Sequence, residues 1–88
     1  MSIFISIASY MDPELKRTIK SAIDNANNPD DLFFSVVVQD LEDNIPDLSW
    51  VKNLSLIKMH PRHAKGAGYA RSRAMSAYAG QKYFLQID

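Results

Sequence analysis

Apolar residues gather in four short runs, at 3–8, 32–38, 54–59 and 83–87, separated by longer stretches of mixed polarity. Ile3-Phe4-Ile5-Ser6-Ile7-Ala8 and Leu32-Phe33-Phe34-Ser35-Val36-Val37-Val38 are β-branched, aromatic and nearly continuous in apolarity, as strands covered on both faces are. Leu54-Ser55-Leu56-Ile57-Lys58-Met59 alternates more and reads as an edge strand, whereas Tyr83-Phe84-Leu85-Gln86-Ile87 reads as an inner one. Between the first two runs, Leu15, Ile19, Ala22, Ile23 and Ala26 recur at helical spacing, with Lys16, Arg17, Lys20 and Asp24 outside the stripe. Asp12 followed by Pro13 predicts the helix start, with Asp12 as N-cap and Pro13 where a missing N–H costs nothing. Asn27-Asn28-Pro29 ends that helix. Residues 40–53 are polar, contain Pro46 and Trp50, and predict an irregular crossover with one helical turn at most. After the polar loop HPRHAKG, Ala67, Ala70, Ala74 and Ala77 form one stripe, which predicts a second helix over 67–79 lying close to the sheet.

The order is β-α-β-crossover-β-α-β. Strands joined by connections this long imply right-handed crossovers and a mainly parallel, four-stranded, Rossmann-like α/β sheet. Ligands of such sheets gather beyond the carboxyl ends of the strands. That rule singles out Ser9 and Tyr10, Gln39 and Asp40, residues 60–68, and Gln86 with Asp88.

Composition narrows the partners. The chain has 88 residues, enough for one domain with a modest core, and its 47% hydrophobic and 23% charged residues suit an ordinary globular protein. Formal net charge is zero, so no global field draws it to nucleic acid or to an anionic membrane. Cysteine is absent, which removes disulfides and thiolate metal sites. The opening MSIFISIASYMD has no basic leader, and its apolar run is too short for a signal peptide or a membrane span; the expected location is cytoplasmic.

Several residues at the predicted rim carry two readings. Arg71, near the start of the second helix, is a solvated surface residue or a guanidinium reaching toward an anion at the strand ends. Asp40 is a solubilising loop acid or an acceptor for base or ribose donors, and Tyr10 packs with a wet edge or supports a planar base. GAGYAR is no dinucleotide fingerprint, because Arg71 stands at the third glycine position and no glycine-rich turn follows the first strand. His60 and His63 are three apart, but Pro61 spoils a helical metal pair, so they read as loop residues. Asp88, a carboxylate at a strand tip, is a turn or capping residue, or a hard oxygen ligand for Mg²⁺ or Mn²⁺.

The two ends of the chain together resemble one family. IFISIASYMDPE is similar to the first strand and helix start of the "GlcNAc" family of glycosyltransferases, and KGAGYARSRAMSAYAGQKYFLQID to its Gly-Pro-x-x-Ala-Arg helix and Gln-Ile-Asp strand. Gly66, Ala70 and Arg71 match; Ala67 stands where proline is usual, Tyr69 where an aromatic is usual, and Met11 where arginine is common. The resemblance implies a GT-A (nucleotide-diphospho-sugar transferase) half-domain that binds a UDP-sugar, with UDP-GlcNAc expected, together with Mn²⁺ or Mg²⁺. Relatives include enzymes that glycosylate hydroxyproline in a cytoplasmic adaptor protein and, more distantly, the mucin-type polypeptide transferases. It implies transfer to a polypeptide or other hydroxyl acceptor. By position, Ala8, Ser9 and Tyr10 would border the nucleotide and Gln39 or Asp40 the uracil or ribose. Gly66 and Arg71 would lie on the nucleotide or diphosphate side. The family strand continues into Ser-His, whose histidine joins the aspartate on the metal, so Asp88 would be the first ligand. The expectation is one domain over 1–88, the amino-terminal part of something longer and not expected to turn over alone. The alternative is a non-catalytic α/β module that self-associates as a homo-oligomer through the open edge beside its fourth strand.

Overall fold

A computed structural model describes residues 2–63 and 67–87; the side chains of His63, Ala67, Gly68 and Arg71 also lie outside the described set. Eight-residue strands β1 (Ile3–Tyr10) and β2 (Leu32–Gln39) pair in parallel along their whole length. β3 (Leu54–Met59) adds to the outer side of β2, and β4 (Tyr83–Ile87) adds to the other side of β1, giving the all-parallel order β3-β2-β1-β4. This is the expected α/β, Rossmann-like half-domain. The chain steps outward from β1 to β3 and then crosses back to β4. Right-handed crossovers in opposite directions put the two helices on opposite faces.

Helix α1 (Leu15–Asn25) covers one face. Its Leu15 and Ile19 pack on Ile5 and Ile7 of β1 and on Leu32, Phe34, Val36 and Val38 of β2. Burying each such side chain stabilises by roughly 1.5–3 kcal/mol. The helix starts later than expected: Glu14, not Asp12, is its N-cap, without a side-chain cap bond, and the Asp12 carboxylate instead accepts the Glu14 N–H at 2.8 Å in the turn ahead of it. The polar crossover contributes more than a loop. Leu48 and Val51 drop from it into this core beside a short 3-10 turn, Glu42–Asn44.

Helix α2 (Ala67–Met75) covers the other face, where Ala70 and Ala74 seat on Val37. With nothing longer than a methyl on the helix side at Ala70 and Ala74, helix and sheet come close enough for the Ser35 hydroxyl to donate to the Ala74 carbonyl at 2.6 Å. The helix ends four residues before the predicted Ala79. Ser76, Ala77 and Tyr78 instead donate their N–H groups three residues back, to Arg73, Ala74 and Met75, and Gly80 takes the positive φ (83°) that turns the chain into β4. Because α2 connects the carboxyl end of β3 to the amino end of the parallel β4, it runs antiparallel to the strands, with its amino end toward their carboxyl rim.

The fourth strand departs from expectation. β4 is not an inner strand but the free border of the sheet among the described residues, with Tyr83, Phe84 and Leu85 exposed by 47%, 43% and 50%. Its attachment is to β1 alone: Tyr83 N–H donates to the Ser2 carbonyl, and Phe84 stacks at 5.5 Å on Phe4 beside Tyr78. A strand apolar on both faces has the same composition whether a neighbour covers it or not. Among the described residues no helix is long and apolar enough to cross a membrane.

At the carboxyl end of β1, Met11 takes the left-handed backbone (φ 47°) while its N–H donates to the Gln39 carbonyl. For a side-chain-bearing residue this conformation costs about 1–2 kcal/mol. Met11→Gly is therefore expected to leave stability level or raise it by up to ~1 kcal/mol, and Met11→Val to lower it by more than ~1 kcal/mol, in chemical denaturation. Ala74→Leu forces α2 off the sheet, with an expected loss of about 1–3 kcal/mol; an unchanged midpoint would contradict the close helix–sheet seat.

Candidate functional site

The parallel ladder fixes what meets at the rim. Tyr10, Gln39 and Met59 are in register across β1, β2 and β3, and the ladder runs one bond further, with Asp40 N–H donating to the Met59 carbonyl. The last described residue of β4, Ile87, is in register with Ile7, three residues before Tyr10, or about 10 Å along the strand. The chain leaves β1 toward β2 but returns on its other flank as β4. The switch point of this sheet, where such folds open a crevice, is therefore the carboxyl end of β1.

The side chains predicted here take different stations. Tyr10 is 57% exposed at the rim, on the face covered by α2. Ala8 packs against the Val37–Ala70–Ala74 cluster, so its side chain supports the layer beneath. Ser9 points to the α1 face, only 4% exposed, and its hydroxyl has no hydrogen-bond partner among the described residues. A buried orphan hydroxyl costs about 1–3 kcal/mol, which marks this strand end as under-satisfied. Gln39 is buried, with its amide nitrogen 4.0 Å from the Met59 sulfur.

Asp40 is the most firmly placed charged group. It is almost fully buried, and one carboxylate oxygen accepts from Leu41 N–H at 2.7 Å and from the Asn44 amide at 3.4 Å. Those bonds lock its rotamer and leave the second oxygen available as an acceptor. Beside it lies a hollow of about 190 Å³ lined by Asp40, Glu42, Ile45, Lys58, Met59 and His60. Glu42, Ile45 and Lys58 escaped the sequence reading; Lys58, the one charge in an otherwise apolar strand, was the available signal. His60 turns inward on its own loop, its Nδ1 accepting the Arg62 N–H at 3.0 Å, which leaves that nitrogen without a proton to donate.

The backbone of Arg71 follows Ala70 at the midpoint of α2, while its side chain lies outside the described residues, as do Gly66 and Asp88. The metal-ligand reading of Asp88 is thus untouched by the geometry. Among the described residues, no group of three or more His, Cys, Asp or Glu side chains is arranged to hold an ion.

Chemically, the described rim offers a fixed carboxylate acceptor, a lysine and a histidine around a small hollow, with the exposed aromatic face of Tyr10 outside that lining at the end of β1. It suits a planar ring carrying donors and a charged tail. No curated protein and no solved structure matches the chain. The profile of the family "Glycosyltransferase (GlcNAc)" does match, over residues 2–53 and 47–88, two segments that between them take in β1 through β4 and every rim residue named above. On that match, the chain belongs to the GlcNAc glycosyltransferase family.

Proposed function

We propose that this chain is the nucleotide-binding part of a GT-A glycosyltransferase domain. It takes a UDP-sugar, UDP-GlcNAc in the first instance, for transfer to a hydroxyl of a polypeptide or other acceptor. The observation that carries the reading is the immobilised Asp40 carboxylate, one residue beyond Gln39, the register partner of exposed Tyr10, at the switch-point end of a parallel sheet. In this reading the free oxygen of Asp40 accepts from the uracil or ribose, and Tyr10 shields one face of the base. The Ala8–Ser9–Tyr10 backbone borders the nucleotide. Arg71, at the midpoint of α2, neutralises the diphosphate.

The divalent cation enters through Asp88. Mn²⁺ or Mg²⁺ held there with a further ligand would stabilise charge on the departing diphosphate. The contribution of this chain's own residues is binding and orientation: a carboxylate that need not reorganise, a closed aromatic flank, and a cation on the phosphate side.

The reading predicts that uridine diphosphate with Mn²⁺ raises Tm. Ligand at about 100 times Kd stabilises by ~2.7 kcal/mol, and a domain of this size shifts by roughly 4–8 °C per kcal/mol. Arg71→Ala and Asp40→Asn should each shrink that increment while the free variants keep the wild-type circular dichroism spectrum. No shift at millimolar ligand would count against a preformed nucleotide site.

A second reading, assembly through the sheet border, is favoured by the exposure of Tyr83, Phe84 and Leu85. Paired antiparallel about Leu85, two copies of β4 would set Tyr83 opposite Ile87 on one apolar face. Light scattering on this chain is then expected to give a dimer for the wild type and a monomer for Leu85→Lys; a wild-type monomer at high concentration removes this reading.

A further inference from the structure

Away from the rim, the outer face of α1 and the crossover form a groove that the nucleotide reading does not use. Lys16, Lys20, Ile23 and Asp24 stand on one side of α1 at helical spacing, and with Trp50 they line a hollow of about 390 Å³. That volume is within the ~300–1,000 Å³ typical of ligand sites. Trp50 is 42% exposed, an unusual station for an indole, yet it is not loose. Its ring N–H donates to the Asp47 carbonyl at 2.9 Å, and the loop beneath is closed by Asp47 Oδ1 accepting Ser49 N–H and by Val51 N–H donating to Leu48. The bond from Ser49 also holds the Asp47 carboxyl below its ordinary range, with weaker help from Lys16 and Lys58. The turn it forms is thus firmest above the usual carboxylate range and loosens as pH falls through it. Leu48 and Val51 anchor the same turn in the core. The indole is held in one orientation with part of its surface bare.

Arg17 pairs with Glu14 and Lys52 with Asp30, but among the described residues neither Lys16, Lys20 nor Asp24 forms an ion pair. The groove therefore combines a rigid aromatic wall and the apolar Ile23 with two free ammonium donors one helical turn apart and one free carboxylate acceptor.

We propose that this groove binds an acidic sugar, a pyranose bearing a carboxylate, as part of a glycan. The C–H face of the ring lies against the Trp50 indole, its carboxylate bridges Lys16 and Lys20, and a hydroxyl donates to Asp24. The commitment to an acidic sugar rests on charge complementarity, two cations against one anion, and on the pairing of a flat apolar wall with both donors and an acceptor. A pyranose, apolar on its faces and polar round its edge, meets both sides of that arrangement at once. The assignment is independent of nucleotide and metal.

Trp50 is the only tryptophan of the chain, so its emission reports on the groove directly. The experiment titrates the full chain, without nucleotide or metal, with a tetrasaccharide alternating glucuronate and N-acetylglucosamine. The expected result is a saturable change in indole emission, weakened at least tenfold by the Lys16→Gln/Lys20→Gln double variant. It should also be lost in about 1 M salt, where screening acts within ~3 Å. Circular dichroism confirms that the variant is folded. No emission change up to millimolar sugar, or undiminished affinity in the folded double variant, overturns the proposal. Equal affinity for a neutral N-acetylglucosamine tetrasaccharide overturns the role given to the acid, and equal affinity for a poly-glutamate peptide overturns the assignment to sugar.

Discussion

Everything in this fold hangs on the pairing of β1 with β2. Eight consecutive residues of each are in parallel register, from Ile3 with Leu32 to Tyr10 with Gln39. β3 and β4 attach to the outer sides of that pair, and both helices pack over it rather than over the borders. A slip of β2 by one residue would send Phe34 and Val36 to the α2 face, where Ala70 and Ala74 leave no room for them. It would also separate Tyr10 from Asp40. The same register that closes the core thus assembles the rim.

The two faces solve the packing problem differently, and the difference has a functional consequence. The α1 face is filled by large side chains and reinforced by Leu48 and Val51 from the crossover. The α2 face is thin, closed by two alanines and a serine-to-carbonyl bond. A helix held that close brings its amino end, and Arg71 behind it, near the carboxyl ends of the strands rather than above them. On the proposed reading, the small side chains of α2 are what would let Arg71, carried on a helix, serve a site built by strands.

Much of this was legible in the chain. The strands, their order, the two helices and the rim follow from apolar period and crossover length, because these patterns are local. Asp12-Pro13 marked the approach to α1, but the N-cap falls two residues later, at Glu14. What stayed hidden depends on neighbours that are distant in sequence. Tyr83 to Ile87 has the composition of an inner strand, yet it borders the sheet, since the residues of a strand do not state whether another will lie beside it. Leu48 and Val51 are isolated apolar positions in a polar stretch, with no period to mark them. Met11 gave no sign of its left-handed turn, which glycine would have announced. Asp40 was visible as an acid at a strand end, but its value as a fixed acceptor comes from Asn44 and the Leu41 N–H. Trp50 was conspicuous only for being the sole tryptophan.

The central claim is that the carboxyl ends of β1 and β2, joined by the start of α2, form one nucleotide site. Residue-resolved amide NMR during titration with uridine diphosphate and Mg²⁺, which avoids paramagnetic broadening, tests it most directly. The account predicts saturable shifts concentrated at Tyr10 and Met11, at Gln39 to Leu41, and in the first turns of α2. Shifts confined to β4 or to the amino ends of the strands, with the rim silent, would contradict it.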